Sequence, residues 1–210
     1  MQEGLKFTEY IIDGVAHTSP RRMMWCTEQA GMEYRFSANH VPGLAAHPLT
    51  PSLRRIQRDV IKACGGDVPY NAVLINIYDD GTEYSGWHCD NDPWLGDTFA
   101  VPSVSLGAER DFCVREKVDV AGTAGEADVD PTACVLRMRL AHGSLCLMDG
   151  RFQHEYEHSV PAEADTEAAA APACTSAAGT TTPPRLNLTW RYVLPGRERM
   201  HNLKPRWDSP

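Results

Sequence analysis

No run in this 210-residue chain is apolar for long enough to span a membrane. The opening residues, Met1-Gln2-Glu3-Gly4-Leu5-Lys6, lack the basic-then-apolar order of a secretory leader. The 7 cysteines are odd in number and scattered, and no C-x-x-C occurs among them. That argues against a disulfide framework and against a zinc ribbon. No internal repeat is visible. These absences lead to the expectation of a reduced, intracellular protein of the nucleus or cytoplasm, with no membrane partner. The length predicts a single domain over 1–210 with a substantial core.

Positive charge is also scarce: the formal net charge is −8. Its distribution matters more than its sum. Residues 63–184 hold 20 of the 28 acidic residues and 6 of the 20 basic ones. Several of those acids fall in two loop-like tracts, Asp119 to Asp130 and Glu163 to Glu167. Both ends of the chain are therefore basic, with Arg21-Arg22, Arg54-Arg55, Arg58, Lys62, Arg197, Arg199, Lys204 and Arg206. Singly these are solvated surface charges. Together they permit a phosphate-contacting rim.

The pattern along the chain predicts a helix opening at Pro51-Ser52-Leu53. Leu53, Ile56, Val60 and Ile61 share one face before Gly65-Gly66 ends it. From Asn71 onward short runs alternate with turn signals. They predict strands near Ala72–Tyr78, Trp87–Asp90, Val101–Leu106, Asp111–Arg115, Val135–Leu140, Ser144–Met148, Phe152–Val160 and Arg185–Val193. About eight short strands with little helix between them suggest a mainly β, antiparallel two-sheet jelly roll with its core over 71–193. Residues 162–184 are Ala-rich and then Thr-Thr-Thr-Pro-Pro, with almost nothing large and apolar, and read as a mobile insertion.

His88 and Asp90 are two apart, so a strand would point both to one face while Cys89 points away. Two histidines and one carboxylate are the set that holds one face of a non-haem Fe(II) ion. The third ligand lies in a segment with a decoy. His154-Glu155-Tyr156-Glu157-His158 fits the H-E-x-x-H zinc signature, which needs a helix. Gly150 and Pro161 leave little room for one, and Phe152, His154, Tyr156, His158 and Val160 alternate as in a strand. On a strand His154 and His158 lie roughly 13 Å apart and cannot share an ion. His158 is the favoured ligand because Ser159-Val160-Pro161 leads out of the strand. Arg185, Asn187, Thr189 and Arg191 also share one face, with Leu186, Leu188 and Trp190 behind. That row is either an exposed polar face or a cavity wall whose arginines meet carboxylates. Asn76 and Tyr78, again two apart, could add hydrogen bonds to the same ligand.

These blocks resemble the AlkB family of Fe(II)- and 2-oxoglutarate-dependent dioxygenases, particularly its eukaryotic nucleic-acid demethylases. The matching text is NAVLINIYDD (71–80), GWHCDNDPWLG (86–96), VPSVSLGAERDF (101–112), LAHGSLCLMDG (140–150), HSVP (158–161) and RLNLTWR (185–191). The resemblance implies a double-stranded β-helix with a flanking helix and an N-terminal nucleotide-recognition lid within residues 1–50. It implies that His88, Asp90 and His158 bind Fe(II), and that Asn76, Tyr78, Arg185, Thr189 and Arg191 bind 2-oxoglutarate. Trp25, Tyr34 and Asp92 would meet the substrate base, Pro20-Arg21 to Trp25 and Tyr34-Arg35-Phe36-Ser37 forming the lid. The implied reaction is oxidative demethylation of N-alkylated bases in single-stranded or flipped-base DNA by a monomer, with succinate, carbon dioxide and formaldehyde as products. RNA bases are the alternative substrate, and a jelly-roll binding module without turnover is the alternative class. The chain departs from the family at Cys26-Thr27, where an aromatic-Gly pair is expected, and at Asn91, where an acid is expected. It also has no counterpart of the helix that precedes the lid, as a shortened member would.

Overall fold

The computed structural model describes residues 6–12, 15–29, 31–34, 44–91, 100–117, 134–163 and 183–194. In chain order these form β1 (Lys6–Ile12), β2 (Val15–Thr27), β3 (Ala46–Pro48), α1 (Pro51–Ala63), β4 (Ala72–Tyr78), β5 (Ser85–His88) and β6 (Val101–Gly107). There follow β7 (Arg110–Glu116), β8 (Leu136–Leu140), β9 (Leu145–Met148), α2 (Phe152–Glu155), β10 (Tyr156–Val160) and β11 (Arg185–Arg191). The larger sheet runs β1-β2-β4-β11-β6-β9 with β3 beside β2, and the smaller runs β5-β10-β7-β8. Only the β2–β3 pairing is parallel among these strands. This is a mainly β, two-sheet jelly roll. No helix among the described residues is long and apolar enough to cross a membrane.

Two apolar layers hold the sheets. Between them, Tyr78, Val101 and Met148 of the larger sheet meet Phe112, Val114 and Val160 of the smaller. Behind the larger sheet, Met24, Ile75, Leu188 and Trp190 pack against Leu53 and Val60 of α1. Strand β4 is buried along its whole length, as expected of a central strand with one face on a helix and the other on a cavity. Helix α1 starts where Thr50 accepts a hydrogen bond from Leu53 N at 3.2 Å and Pro51 fixes the first turn. It ends at Gly65 and Gly66, where Gly66 N–H reaches Ile61 O at 2.8 Å. Its buried stripe is Leu53, Gln57 and Val60, with Ile56 and Ile61 flanking it half-buried. Gln57 belongs in the stripe because its amide donates to Tyr70 O and Glu28 Oε1.

The sequence pattern departs from the structure in three places. Residues before Thr50 were expected to form only a lid, yet β1 and β2 extend the larger sheet by pairing onto β4. Pro20 and the Arg21-Arg22 pair mask the β2 strand pattern. The strand expected over Trp87–Asp90 ends at His88, because Asp90 N–H is taken by the Gln153 side chain rather than by a neighbouring strand. The strand expected over Phe152–Val160 begins only at Tyr156. Residues 152–155 form a single helical turn, closed by Glu155 N–H to Arg151 O at 3.0 Å.

Of the low-complexity tract, residues 164–182 lie outside the described residues, but both of its ends are fastened. Glu163 N–H donates to Gly81 O at 2.8 Å, and Pro184 O accepts from Ala108 N at 3.3 Å. Gly107 sits at φ +88°, and a Cβ there would lie 2.0 Å from Pro184 O. Gly107→Ala therefore combines backbone strain with a backbone clash, and roughly 1–3 kcal/mol of stability should be lost. Thermal unfolding should show its melting temperature several degrees below that of Gly86→Ala, whose Cβ meets nothing. Equal melting temperatures would mean that the 183–184 connection is not held against β6.

Candidate metal and co-substrate site

Antiparallel pairing of β10 with β5 sets His158 directly opposite His88, with ring centroids 4.2 Å apart. Asp90, two residues beyond the end of β5, returns to the same point. Its Oδ2 lies 3.5 Å from His158 Nε2, and one donor atom from each of the three residues lies within 4.8 Å of the others. His88 Nδ1 is 2.7 Å from Gly86 O, which makes Nδ1 the protonated nitrogen and leaves the Nε2 lone pair for a metal. Phe112 stacks on the His158 ring at 5.3 Å and fixes its plane.

The electrostatics keep His88 and Asp90 in ligand form. Burial, and then the neighbouring His158, push His88 down to about 3, so its imidazole is neutral. Burial opposes the charge on Asp90, but Arg191, whose Nη2 is 2.6 Å from Oδ1, and the two imidazoles outweigh it. Its carboxyl is held well below the usual carboxylate range. His154 takes no part. It sits on the α2 turn rather than on the strand that carries His158, so the H-E-x-x-H text straddles a helix end and a strand.

Strand β11 carries the arginine row, and burial shows that the row faces inward: Arg185 is 1% exposed and Arg191 3%. The register against β4 is unbroken from Arg185↔Tyr78 through Asn187↔Asn76 to Arg191↔Ala72. Asn187 donates to Ser103 Oγ and accepts from Thr189 Oγ1 at 2.8 Å, so these two polar side chains hold each other on the wall. Arg185 lies over the Tyr78 ring at 5.2 Å and donates to Ser105 Oγ at 3.1 Å. Its Nε and Nη1 are buried and meet no hydrogen-bond partner among the described residues. A guanidinium with two nitrogens left unmet is costly unless an anion meets them. The end of the row near Asp90 is neutralised, and the Arg185 end is not.

Both ends open on one cavity of about 400 Å3, which Asn76, Tyr78, His88, Asp90, His158 and the β11 row all line. Tyr34 lines it too, although only 3% of its surface is exposed. Trp25 does not. It is 0% exposed, its Nε1 donates to Met32 O at 2.9 Å, and its ring packs on Tyr34 at 5.0 Å. The expectation that Trp25 offers a stacking face to a base is therefore corrected: the indole is part of the core that supports Tyr34. Asp92 and Arg35-Phe36-Ser37 lie outside the described residues. Two residues that the pattern did not place at the site also bear on it. Gln153 fastens the Asp90 backbone. Arg21, seen only as a basic lid residue, donates from Nε to Asn76 Oδ1 at 2.8 Å.

Two outcomes follow. His158→Ala should weaken Co(II) binding by at least a hundredfold in a spectroscopic titration, while His154→Ala stays within about threefold of the parent. The reverse ranking would contradict the donor set. Arg185→Met should raise the half-saturating 2-oxoglutarate concentration about tenfold or more, since a charge-assisted contact is removed. Its metal-free protein should melt no lower than the parent, because an unpaired buried cation has gone. A lower melting point with unchanged co-substrate affinity would make Arg185 structural.

The comparisons with known proteins converge on the same chemistry. The 2OG-Fe(II) oxygenase superfamily matches residues 2–191. The chain is 34% identical over 201 residues to human DNA oxidative demethylase ALKBH2, covering 92% of this chain and 67% of that protein. It is 33% identical to the mouse protein of the same name, covering 88% of this chain and 66% of that one. It is 28% identical to bovine alpha-ketoglutarate-dependent dioxygenase alkB homolog 3, covering 91% and 58%. The chain thus spans about two thirds or less of the length of these relatives. With its cavity, donor set and arginine row, the chain belongs to the AlkB family of 2OG-Fe(II) oxygenases.

Proposed function

We propose that this chain is an Fe(II)- and 2-oxoglutarate-dependent dioxygenase that removes N-alkyl groups from damaged DNA bases, a direct-reversal repair reaction releasing succinate, carbon dioxide and formaldehyde. One observation carries the reading. A two-histidine, one-carboxylate donor set and a buried guanidinium with orphaned donors open on the same cavity. His88, Asp90 and His158 would hold Fe(II) by one face and leave its other positions open. Arg185, with Tyr78, would take the distal carboxylate of 2-oxoglutarate, and Asn76, Thr189 and Arg191 would contact the remainder. Asp90 and Arg191 already cancel, so the distal carboxylate of 2-oxoglutarate would offset the remaining buried charge of the cavity, that of Arg185. When bound, the iron and its co-substrate would, with dioxygen, supply the oxidant for the N-methyl carbon: one oxygen atom ends in succinate as carbon dioxide leaves, and the other in a hydroxymethyl group that is lost as formaldehyde.

The protein's part is to exclude water, hold both ends of the co-substrate, and keep His88 neutral and Asp90 ionised. A base stacked in a duplex cannot enter a cavity between two sheets, so the nucleotide must be flipped out or already single-stranded. Tyr34, with Tyr84 and Trp87, offers ring surface along the cavity for such a base. The names of the human and mouse relatives favour DNA over RNA. The scattered cysteines support a reduced compartment, the nucleus or cytoplasm, and a monomer suffices because one chain supplies the whole donor set.

The test is incubation of the protein, Fe(II) and 2-oxoglutarate with methylated oligonucleotides of DNA and RNA, single- and double-stranded, read by mass. Methyl loss from DNA matched by succinate is the expected result. Methyl loss confined to RNA would move the substrate class. Absence of methyl loss from every oligonucleotide would sink the demethylase reading.

A further inference from the structure

An asparagine side chain is ambiguous: it offers a carbonyl acceptor and an amide donor, and the two exchange places by a half-turn. At the cavity wall that ambiguity has a sign. Asn76 is 5% exposed and faces the space that an anionic co-substrate would fill. Its Nδ2 would attract a carboxylate, and its Oδ1 would repel one.

The neighbouring strand resolves the choice. Met23 of β2 stands opposite Asn76 of β4, and Arg21 is two residues earlier on the same face of β2. From there Arg21 reaches diagonally, and its Nε donates to Asn76 Oδ1 at 2.8 Å. A guanidinium has donors and no acceptor, so Arg21 can meet only the carbonyl end of the amide. With Oδ1 committed, Nδ2 is the group left to meet a ligand. Arg22, on the opposite face of β2, is bound to Asp79 through two nitrogens, Nε to Oδ2 at 2.7 Å being one of the contacts. That fork fastens this stretch of β2 against the end of β4.

We infer that Arg21 is a positioning residue for the co-substrate, acting through Asn76 by holding its amide so that a donor rather than an acceptor faces the carboxylate. The inference rests on the reading of Asn76 as a 2-oxoglutarate contact. It also links the lid segment, which carries Arg21, to the co-substrate wall.

The experiment titrates 2-oxoglutarate by calorimetry into Co(II)-loaded protein, so that no turnover is needed. The parent, Arg21→Ala, Arg21→Lys, Asn76→Ala and the double variant Arg21→Ala/Asn76→Ala are compared, with melting temperature and Co(II) affinity measured alongside. Arg21→Ala should weaken 2-oxoglutarate about five- to tenfold with Co(II) affinity unchanged. Arg21→Lys should recover part of the loss, because an ammonium also donates without accepting. The double variant should bind no more weakly than Asn76→Ala alone. If Arg21→Ala weakens binding equally in both backgrounds, Arg21 acts independently of Asn76 and the inference fails. It fails equally if Asn76→Ala weakens binding while Arg21→Ala does not. Unchanged binding in Asn76→Ala would instead overturn the co-substrate reading of Asn76 and the inference with it. If Arg21→Ala unfolds, the Lys variant against Asn76→Ala decides by the same comparison.

Discussion

Among the described residues three guanidinium groups are buried inside this jelly roll, and each has to be reconciled with the loss of water around it. Arg110 is 3% exposed and satisfies its donors on the backbone: Asp80 O at 3.0 Å, Glu83 O at 2.7 Å and Pro161 O at 2.6 Å. Arg191 is paired with Asp90. Arg185 has one hydroxyl and a tyrosine ring, and its Nε and Nη1 meet no partner among the described residues. The first arrangement is structural, tying the β4–β5 connection to the segment that follows β10. The second holds the Asp90 carboxylate in its charged form. The third leaves donors that an anion in the cavity would meet.

The long β4–β11 ladder makes the arrangement rigid. Seven consecutive pairs, from Arg185↔Tyr78 to Arg191↔Ala72, fix which residues share the cavity face. A one-residue slip would turn Arg185 and Arg191 outward and put Leu186 and Trp190 in the site. The apolar backs of both strands prevent that by packing against α1. The His88–Asp90–His158 cluster is held separately, by the His158↔His88 pair of the smaller sheet and by the Gln153 side chain on Asp90. The donor cluster and the arginine row therefore rest on different sheets, and the cavity is where the two meet.

Much of this was legible in the sequence. The β4 and β11 runs showed themselves because a central strand is apolar throughout on one face and polar at fixed intervals on the other. The helix over Pro51–Ala63 was marked by its proline, its stripe and its two glycines. What stayed hidden depended on tertiary partners. Asp90 N–H is satisfied by a side chain 63 residues away, so the end of β5 could not be read from local text. The α2 turn has the strand alternation of its neighbours but closes on Arg151 O. Trp25 looked like a recognition residue and proved to be core, because its indole N–H finds Met32 O and its surface is covered. Buried Arg110 carried no signal at all, since backbone carbonyl partners leave no pattern in side-chain text.

The central claim is that the cavity is built for a metal-chelating dicarboxylate whose far end meets Arg185. The direct measurement is calorimetric affinity of the Co(II)-loaded protein for 2-oxoglutarate and for 2-oxobutyrate, which keeps the chelating end and lacks the distal carboxylate. The account predicts that the parent favours 2-oxoglutarate by about tenfold or more and that Arg185→Met abolishes the preference. Equal affinities in the parent, or a preference that survives in Arg185→Met, would contradict it.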